Sequence, residues 1–181
     1  MTTYCDYCIS HPEDTHNRTY HDTQYGFPIA DDNLLFERLV LEINQAGLSW
    51  ITILKKADNF RRAYDQFDLA RVAAYDESDR ARLLADAGII RNRLKVNAAI
   101  VNAQRILGLQ KEFGSFKNWL DTHHPRPKDE WVRLFKQTFV FTGGEIVNEF
   151  LMSTGYLKGA HEETCPAYRK IASLRPAWMR K

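Results

Sequence analysis

Three cysteines in 181 residues are too few for a disulfide framework in a chain with no export signal. No run approaches the roughly 20 consecutive apolar residues that span a bilayer, and the N-terminus lacks the basic-then-apolar order of a secretory signal. The expectation is a soluble, cytoplasmic protein that meets no membrane. Charge of one sign is also scarce, because 25 Lys and Arg against 23 Asp and Glu leave a net charge of only +2. So small an excess does not by itself advertise a nucleic-acid binder, and such a reading has to rest on local clusters. Two clusters exist: Arg91-Asn92-Arg93-Leu94-Lys95, and the tail from Arg169-Lys170 through Arg180-Lys181. Internal repeats and low-complexity tracts are absent. With 44% hydrophobic and 12% aromatic residues the chain can bury a sizeable core, as one domain spanning 1–181.

The apolar spacing predicts an all-α fold. Asp31, Asp32 or Asn33 can cap a helix running to about Ala46. Trp50, Ile53, Leu54, Ala57, Phe60 and Tyr64 keep helical spacing over the next one. Asp68 starts a short helix through Val72, Asp76 caps another to Leu84, and Ala87-Gly88 breaks the chain before a long helix from about Ile90 to Lys111. Pro125 and Pro127 mark a loop, and the adjacent His123-His124 reads as loop and not as a ligand pair. Helices follow near 115–121, 129–136 and 144–153, the last ending at Gly155. Only Phe139-Val140-Phe141 could form a strand.

Leu35, Leu39 and Glu42 fall at i, i+4 and i+7 of the first of these helices, so Glu42 points at the core. A carboxylate there needs partners or a purpose. Ala46-Gly47-Leu48-Ser49 reads as a helix end and tight turn that delivers Trp50 close to it. An acid and an indole beside one cavity suit a flat, electron-poor ligand, while ordinary core packing of both residues is the competing reading.

Leu83 to Arg93 reads as helix, Gly-bearing turn at Gly88, and a second helix opening with basic residues. Such a turn presents backbone N–H groups and a positive helix end to a phosphate. Cations at a helix N-terminus oppose its dipole, so Arg91, Arg93 and Lys95 call for an anion. At the chain ends, His161-Glu-Glu-Thr-Cys165 has zinc-type spacing, and Cys5, Cys8 and His21 supply further donors. Two Cys and two His would close a structural site tying the termini together.

Tyr20-His-Asp-Thr-Gln-Tyr-Gly-Phe-Pro28, Leu41-Glu-Ile-Asn-Gln-Ala-Gly-Leu-Ser-Trp50, Ile53-Leu-Lys-Lys56 and Ala87-Gly-Ile-Ile-Arg-Asn-Arg-Leu-Lys95 together resemble the signature blocks of the bacterial 3-methyladenine DNA glycosylase I family. The likeness is dense from Cys5 to about Leu107 and resumes around Phe139 to Cys165. It implies a helix-hairpin-helix fold with a helical core at about 31–155 and zinc-pinned termini at about 1–30 and 156–181. It implies base-excision repair by a monofunctional N-glycosylase, a monomer that takes double-stranded DNA containing alkylated adenine. Structural Zn2+ would sit on His21, His161, Cys165 and Cys5, with Cys8 as the competitor for the fourth place. Glu42 would be the catalytic residue, with Tyr20, Trp50, Tyr7 and Tyr25 holding the extruded base. Gly47 and Leu48 would probe the gap left in the duplex, while Gly88, Arg91, Arg93 and Lys95 would hold the DNA backbone.

The chain departs from the family pattern at Tyr7 and Tyr25, where the family usually has Trp. It departs again at Phe141-Thr-Gly-Gly-Glu145, where Glu145 introduces an acid, and the segment around 125–130 looks shorter than usual. An altered lesion range is therefore one alternative. A non-catalytic zinc-containing helix-hairpin-helix DNA-binding protein is another, although it would have no need of Glu42 with Trp50.

Overall fold

Residues 3–180 are described by a computed structural model, and every regular element among them is helical. Lys181, the last residue of the basic tail, lies outside the described residues. None of the described helices is long and apolar enough to cross a membrane.

The chain runs α1 (Tyr4–Ser10), α2 (Thr15–Thr23), α3 (Asp32–Gln45), α4 (Trp50–Ala63), α5 (Leu69–Ala73), α6 (Glu77–Ala85), α7 (Arg93–Phe113), α8 (Phe116–His123), α9 (Lys128–Thr138), α10 (Gly144–Ser153) and α11 (Pro166–Ser173). Helix α3 is the axis of the core, since ten successive residues from Leu35 to Asn44 are buried and α4, α7, α8 and α10 all pack on it. Of its three possible caps, Asp31 takes the role by accepting the Leu34 N–H at 2.9 Å. Asp32 instead reaches across the fold to the start of α8, accepting the N–H groups of Phe116 and Lys117 at 2.8 and 3.0 Å. One acidic turn thus satisfies orphan donors of two helices.

Three helices carry no long apolar period and escape the sequence pattern: α1, α2 and α11. Local polar chemistry starts the first two. Thr3 and Asp6 form a capping box on α1, and Asp14 accepts the Asn17 N–H at 3.1 Å to cap α2. Each then buries small sulfur, imidazole or phenol groups, namely Cys5, Cys8, Tyr20 and His21.

Two boundaries also move. The long helix starts at Arg93, not Ile90, because Asn92 accepts the Lys95 N–H at 3.1 Å and so takes the cap position. Phe139–Phe141 is not a strand. The buried Asn102 carboxamide both donates to the Val140 carbonyl at 3.1 Å and accepts its N–H at 2.9 Å, doing for that residue what a neighbouring strand would do.

Candidate active site and metal centre

Helices α1, α2, α3, α4 and α10 meet around a cavity of about 250 Å³ lined by Tyr4, Tyr20, Tyr25, Glu42, Gln45, Trp50 and Glu149. That is below the roughly 300–1,000 Å³ of drug-sized sites, so it takes one small planar group. The walls are aromatic: Tyr20 stands 5.0 Å from Trp50 and 5.5 Å from Tyr25, and Tyr4 meets Tyr25 edge-on at 5.5 Å, all centroid to centroid. Tyr20 and Trp50 keep a buried hydroxyl and indole N–H without partners among the described residues, a state that costs free energy until a ligand or water supplies one.

Glu42 is 3% exposed, and no donor sits on its carboxylate among the described residues. Burial pushes it up to about 8; the Arg38 guanidinium opposes this and the Glu149 carboxylate adds to it. Arg38 makes no salt bridge with it among the described residues; its Nη1 donates to the Ser153 carbonyl at 3.2 Å and its guanidinium lies 5.0 Å from the centroid of the Tyr20 ring. Glu149, on α10, is likewise raised by burial, and the Tyr25 hydroxyl donates to its Oε2 at 3.2 Å. The cavity is therefore rich in acceptors and π faces, and among the described residues its lining includes no Lys or Arg.

One turn after Glu42, helix α3 ends and a tight turn leads into α4. Gly47 adopts φ +80°, which favours glycine, and the Ala46–Ser49 turn projects Leu48, 39% exposed, beside Trp50. Gln45 helps to hold this turn by donating to the Leu48 carbonyl at 3.1 Å.

Tyr7 does not join the cavity. Cys5 points inward from α1, and a residue two positions on lies about 200° further round a helix. Tyr7 therefore faces away, with its hydroxyl on Asp14 at 3.0 Å and its ring stacked on His11. Tyr4, which shares an inward side with Cys8, takes the place expected for Tyr7.

The basic turn divides into two roles. Arg91 and Arg93 are exposed and unpaired among the described residues. Lys95 is buried, and its ammonium donates to the carbonyls of Asn44 and Ala46 at 2.8 and 2.7 Å. It caps the carboxyl end of α3 and is not available to a phosphate; burial also pulls its pKa down. The Gly88 N–H is taken internally by Asp86 at 2.7 Å, so Gly88 shapes the turn without offering its own N–H. Its missing side chain matters all the same, since a Cβ there would meet Asp86 at 2.9 Å and Asn59 at 3.2 Å.

Cys5, His21, His161 and Cys165 form a second, fully buried cluster whose donor atoms all lie within 4.8 Å of one another. Three sulfur–nitrogen separations are 3.6 Å. A tetrahedral ion at about 2.3 Å from sulfur and 2.0–2.1 Å from nitrogen requires edges of roughly 3.5 Å. The outer ring nitrogens are already engaged, His21 Nδ1 with Asp22 at 2.7 Å and His161 Nε2 with the Tyr25 carbonyl at 2.8 Å, which aims the other nitrogens inward. The donor set fits a closed metal site. Cys8 is buried but stands outside the cluster, and neither His123 nor His124 belongs to a metal-type group among the described residues. Glu145 lies at the start of α10, exposed and 3.7 Å from Lys128.

Tyr4, Gln45 and Glu149 escape the sequence reading. Gln45 lies one turn after Glu42 and could have been found by helical spacing. Glu149 could not, because only the packing of α10 on α3 brings it to the cavity.

A family model described as methyladenine glycosylase matches residues 10–133. DNA-3-methyladenine glycosylase of Haemophilus influenzae is 33% identical over 166 residues, covering 81% of this chain and 89% of that protein. DNA-3-methyladenine glycosylase 1 of Escherichia coli is 54% identical over a 55-residue segment, 30% of this chain and 29% of that protein. The solved structure of 3-methyladenine DNA glycosylase I from Staphylococcus aureus superposes with a TM-score of 0.81 at 30% identity, covering 91% of this chain and 97% of that one. The chain belongs to the bacterial 3-methyladenine DNA glycosylase I family.

Proposed function

We propose that this protein excises 3-methyladenine from alkylated double-stranded DNA as a monofunctional N-glycosylase of base-excision repair. The observation that carries this reading is the acceptor-rich aromatic cavity with an unpaired buried Glu42. Alkylation at N3 makes the adenine a cation and a good leaving group, so the enzyme needs little acid catalysis. Its task is to extrude the base, at a cost of a few kcal/mol, and to hold it. Stacking a cation on Trp50 and Tyr20 contributes about 1–2 kcal/mol when desolvated, and an ionised Glu42 adds a charge-assisted hydrogen bond. Neutral adenine gains less from both.

Arg91 and Arg93 would hold phosphates without reading sequence, as a helix-hairpin-helix does. Leu48, on the turn fixed by Gly47, Gln45 and Lys95, would enter the gap left by the base. As the glycosidic bond breaks, its electron pair neutralises the departing base. The sugar passes through an oxocarbenium-like state, water adds at C1′, and a proton is released. The helix α7 segment Leu94–Gln110 contains no acidic residue, in keeping with a lesion that leaves unaided.

The four-donor cluster would hold zinc in a structural role, with Cys5 as the fourth ligand. A bound ion would cross-link α1, α2 and the α11 junction and, through His161 and the Tyr25 carbonyl, brace one wall of the cavity. Incubating the protein with methylated duplex DNA and identifying the released bases by chromatography tests the activity. Absence of 3-methyladenine among the products refutes it.

A further inference from the structure

We propose that Glu149, positioned by Tyr25, is a second recognition carboxylate of the base pocket, so that the pocket selects its ligand by positive charge together with a second hydrogen-bond donor. The inference rests on the base-excision reading above. Glu149 and Glu42 come from different helices and line the same cavity; neither makes a salt bridge among the described residues, although Arg38 lowers the pKa of Glu42 and Lys128 that of Glu149 from a distance. Among the described residues the only hydrogen bond to Glu149 comes from the Tyr25 hydroxyl, to Oε2, with none on Oε1. Glu145, one turn earlier on α10, is exposed and engages Lys128, so the inward turn of Glu149 is not a property of the helix face as a whole.

Two carboxylates sharing one half-closed space repel, and the Glu149 carboxylate makes Glu42 harder to ionise; Glu149 itself is raised first by burial, with Glu145 adding to this and Lys128 opposing it. A neutral planar ligand leaves that repulsion in place. A cation relieves it, and ionised carboxylates are acceptors only, so the ligand must also bring N–H groups. The unpartnered hydroxyl of Tyr20 and indole N–H of Trp50 lie on the same walls, adding one group that can donate or accept and one that only donates. The ligand class defined by this set is a ring-alkylated purine cation with an amino substituent. Tyr25 is a positioning residue, fixing Glu149 through a single hydrogen bond.

The test uses the 3,9-dimethyladenine cation, in which a methyl group replaces the sugar, against neutral 9-methyladenine. Affinities are read from NMR titration of the full-length protein. Glu149→Gln should weaken binding of the cation roughly ten- to hundredfold, the range of a hydrogen bond to a charged group, while 9-methyladenine binding changes less than about twofold. Cation affinity of the wild type should rise with pH through two ionisations, and that of Glu149→Gln through one. Tyr25→Phe should give a smaller loss with both ionisations retained. Unchanged cation affinity and an unchanged pH profile in a folded Glu149→Gln protein would overturn the proposal. If Glu42→Gln still weakens cation binding in that case, the pocket reading survives. If neither variant affects it, the pocket reading fails as well.

Discussion

Replacing Glu42 with Gln should make the protein more stable and less active, and the two effects have separable magnitudes. A carboxyl that titrates at its ordinary 4.5 when unfolded and at about 8 when folded binds more protons in the native state between those values. Stability then falls as pH rises through the window from about 4.5 to 8 and is level outside it. The ionised form is disfavoured by about 5 kcal/mol, an upper bound from 1.36 kcal/mol per pH unit. Gln has the shape of the neutral acid, and the buried carboxylate has no hydrogen-bond donor among the described residues to lose. Glu42→Gln should therefore leave the melting temperature unchanged below pH 5 and raise it by up to about 10–20 °C at pH 9, at roughly 2–4 °C per kcal/mol for a chain of this size.

Excision should move the other way. Losing a hydrogen bond to a cationic base costs about 1.5–3 kcal/mol, or roughly ten- to hundredfold in rate. Wild-type kcat/KM should climb with pH toward about 8 as Glu42 ionises, and the variant should lack that limb. Melting curves at several pH values, duplex affinity and single-turnover excision on one preparation test both halves. A Glu42→Gln protein that melts lower and loses duplex binding would mean that Glu42 is a structural acid. A folded variant with undiminished excision would refute the pocket role.

Metal analysis should return one zinc per chain, and Cys165→Ser or Cys5→Ser should lose it while Cys8→Ser retains it; a Cys5→Ser protein with full zinc content would refute the ligand set. Arg91→Ala should weaken binding to any duplex and lower the salt-dependence slope by about 0.9, one phosphate contact's worth; a change in the base released at unaltered affinity would contradict a phosphate role. Lys95→Met keeps the buried stem but strips the hydrogen bonds from the Asn44 and Ala46 carbonyls. It should cost about 2–4 kcal/mol, measured by denaturant unfolding, and impair excision more than the salt dependence of DNA binding. A lowered salt slope with normal stability would return Lys95 to the phosphate contacts.

The sequence by itself determined the all-α class, the burial of Glu42, the Gly47 turn that brings Trp50 to it, and a Cys and His set at both ends of the chain. Each of these is written in local spacing: an acid on an apolar stripe, a glycine between two helices, a His-x3-Cys in one turn. Tertiary structure decided what depends on the mutual rotation and docking of helices. Cys5 and Cys8 are both buried, and only the docking of α1 against α2 and the α11 junction sets Cys5 among the ligands and leaves Cys8 beside them. That same rotation swings Tyr4 into the cavity and Tyr7 out of it. Lys95 sits in a basic run that reads as a phosphate contact, yet the end of α3 lies against it and two orphan carbonyls capture its ammonium. Glu149 carries no sequence signal at all, and its place opposite Tyr25 exists only because α10 packs on α3, joining residues 124 positions apart.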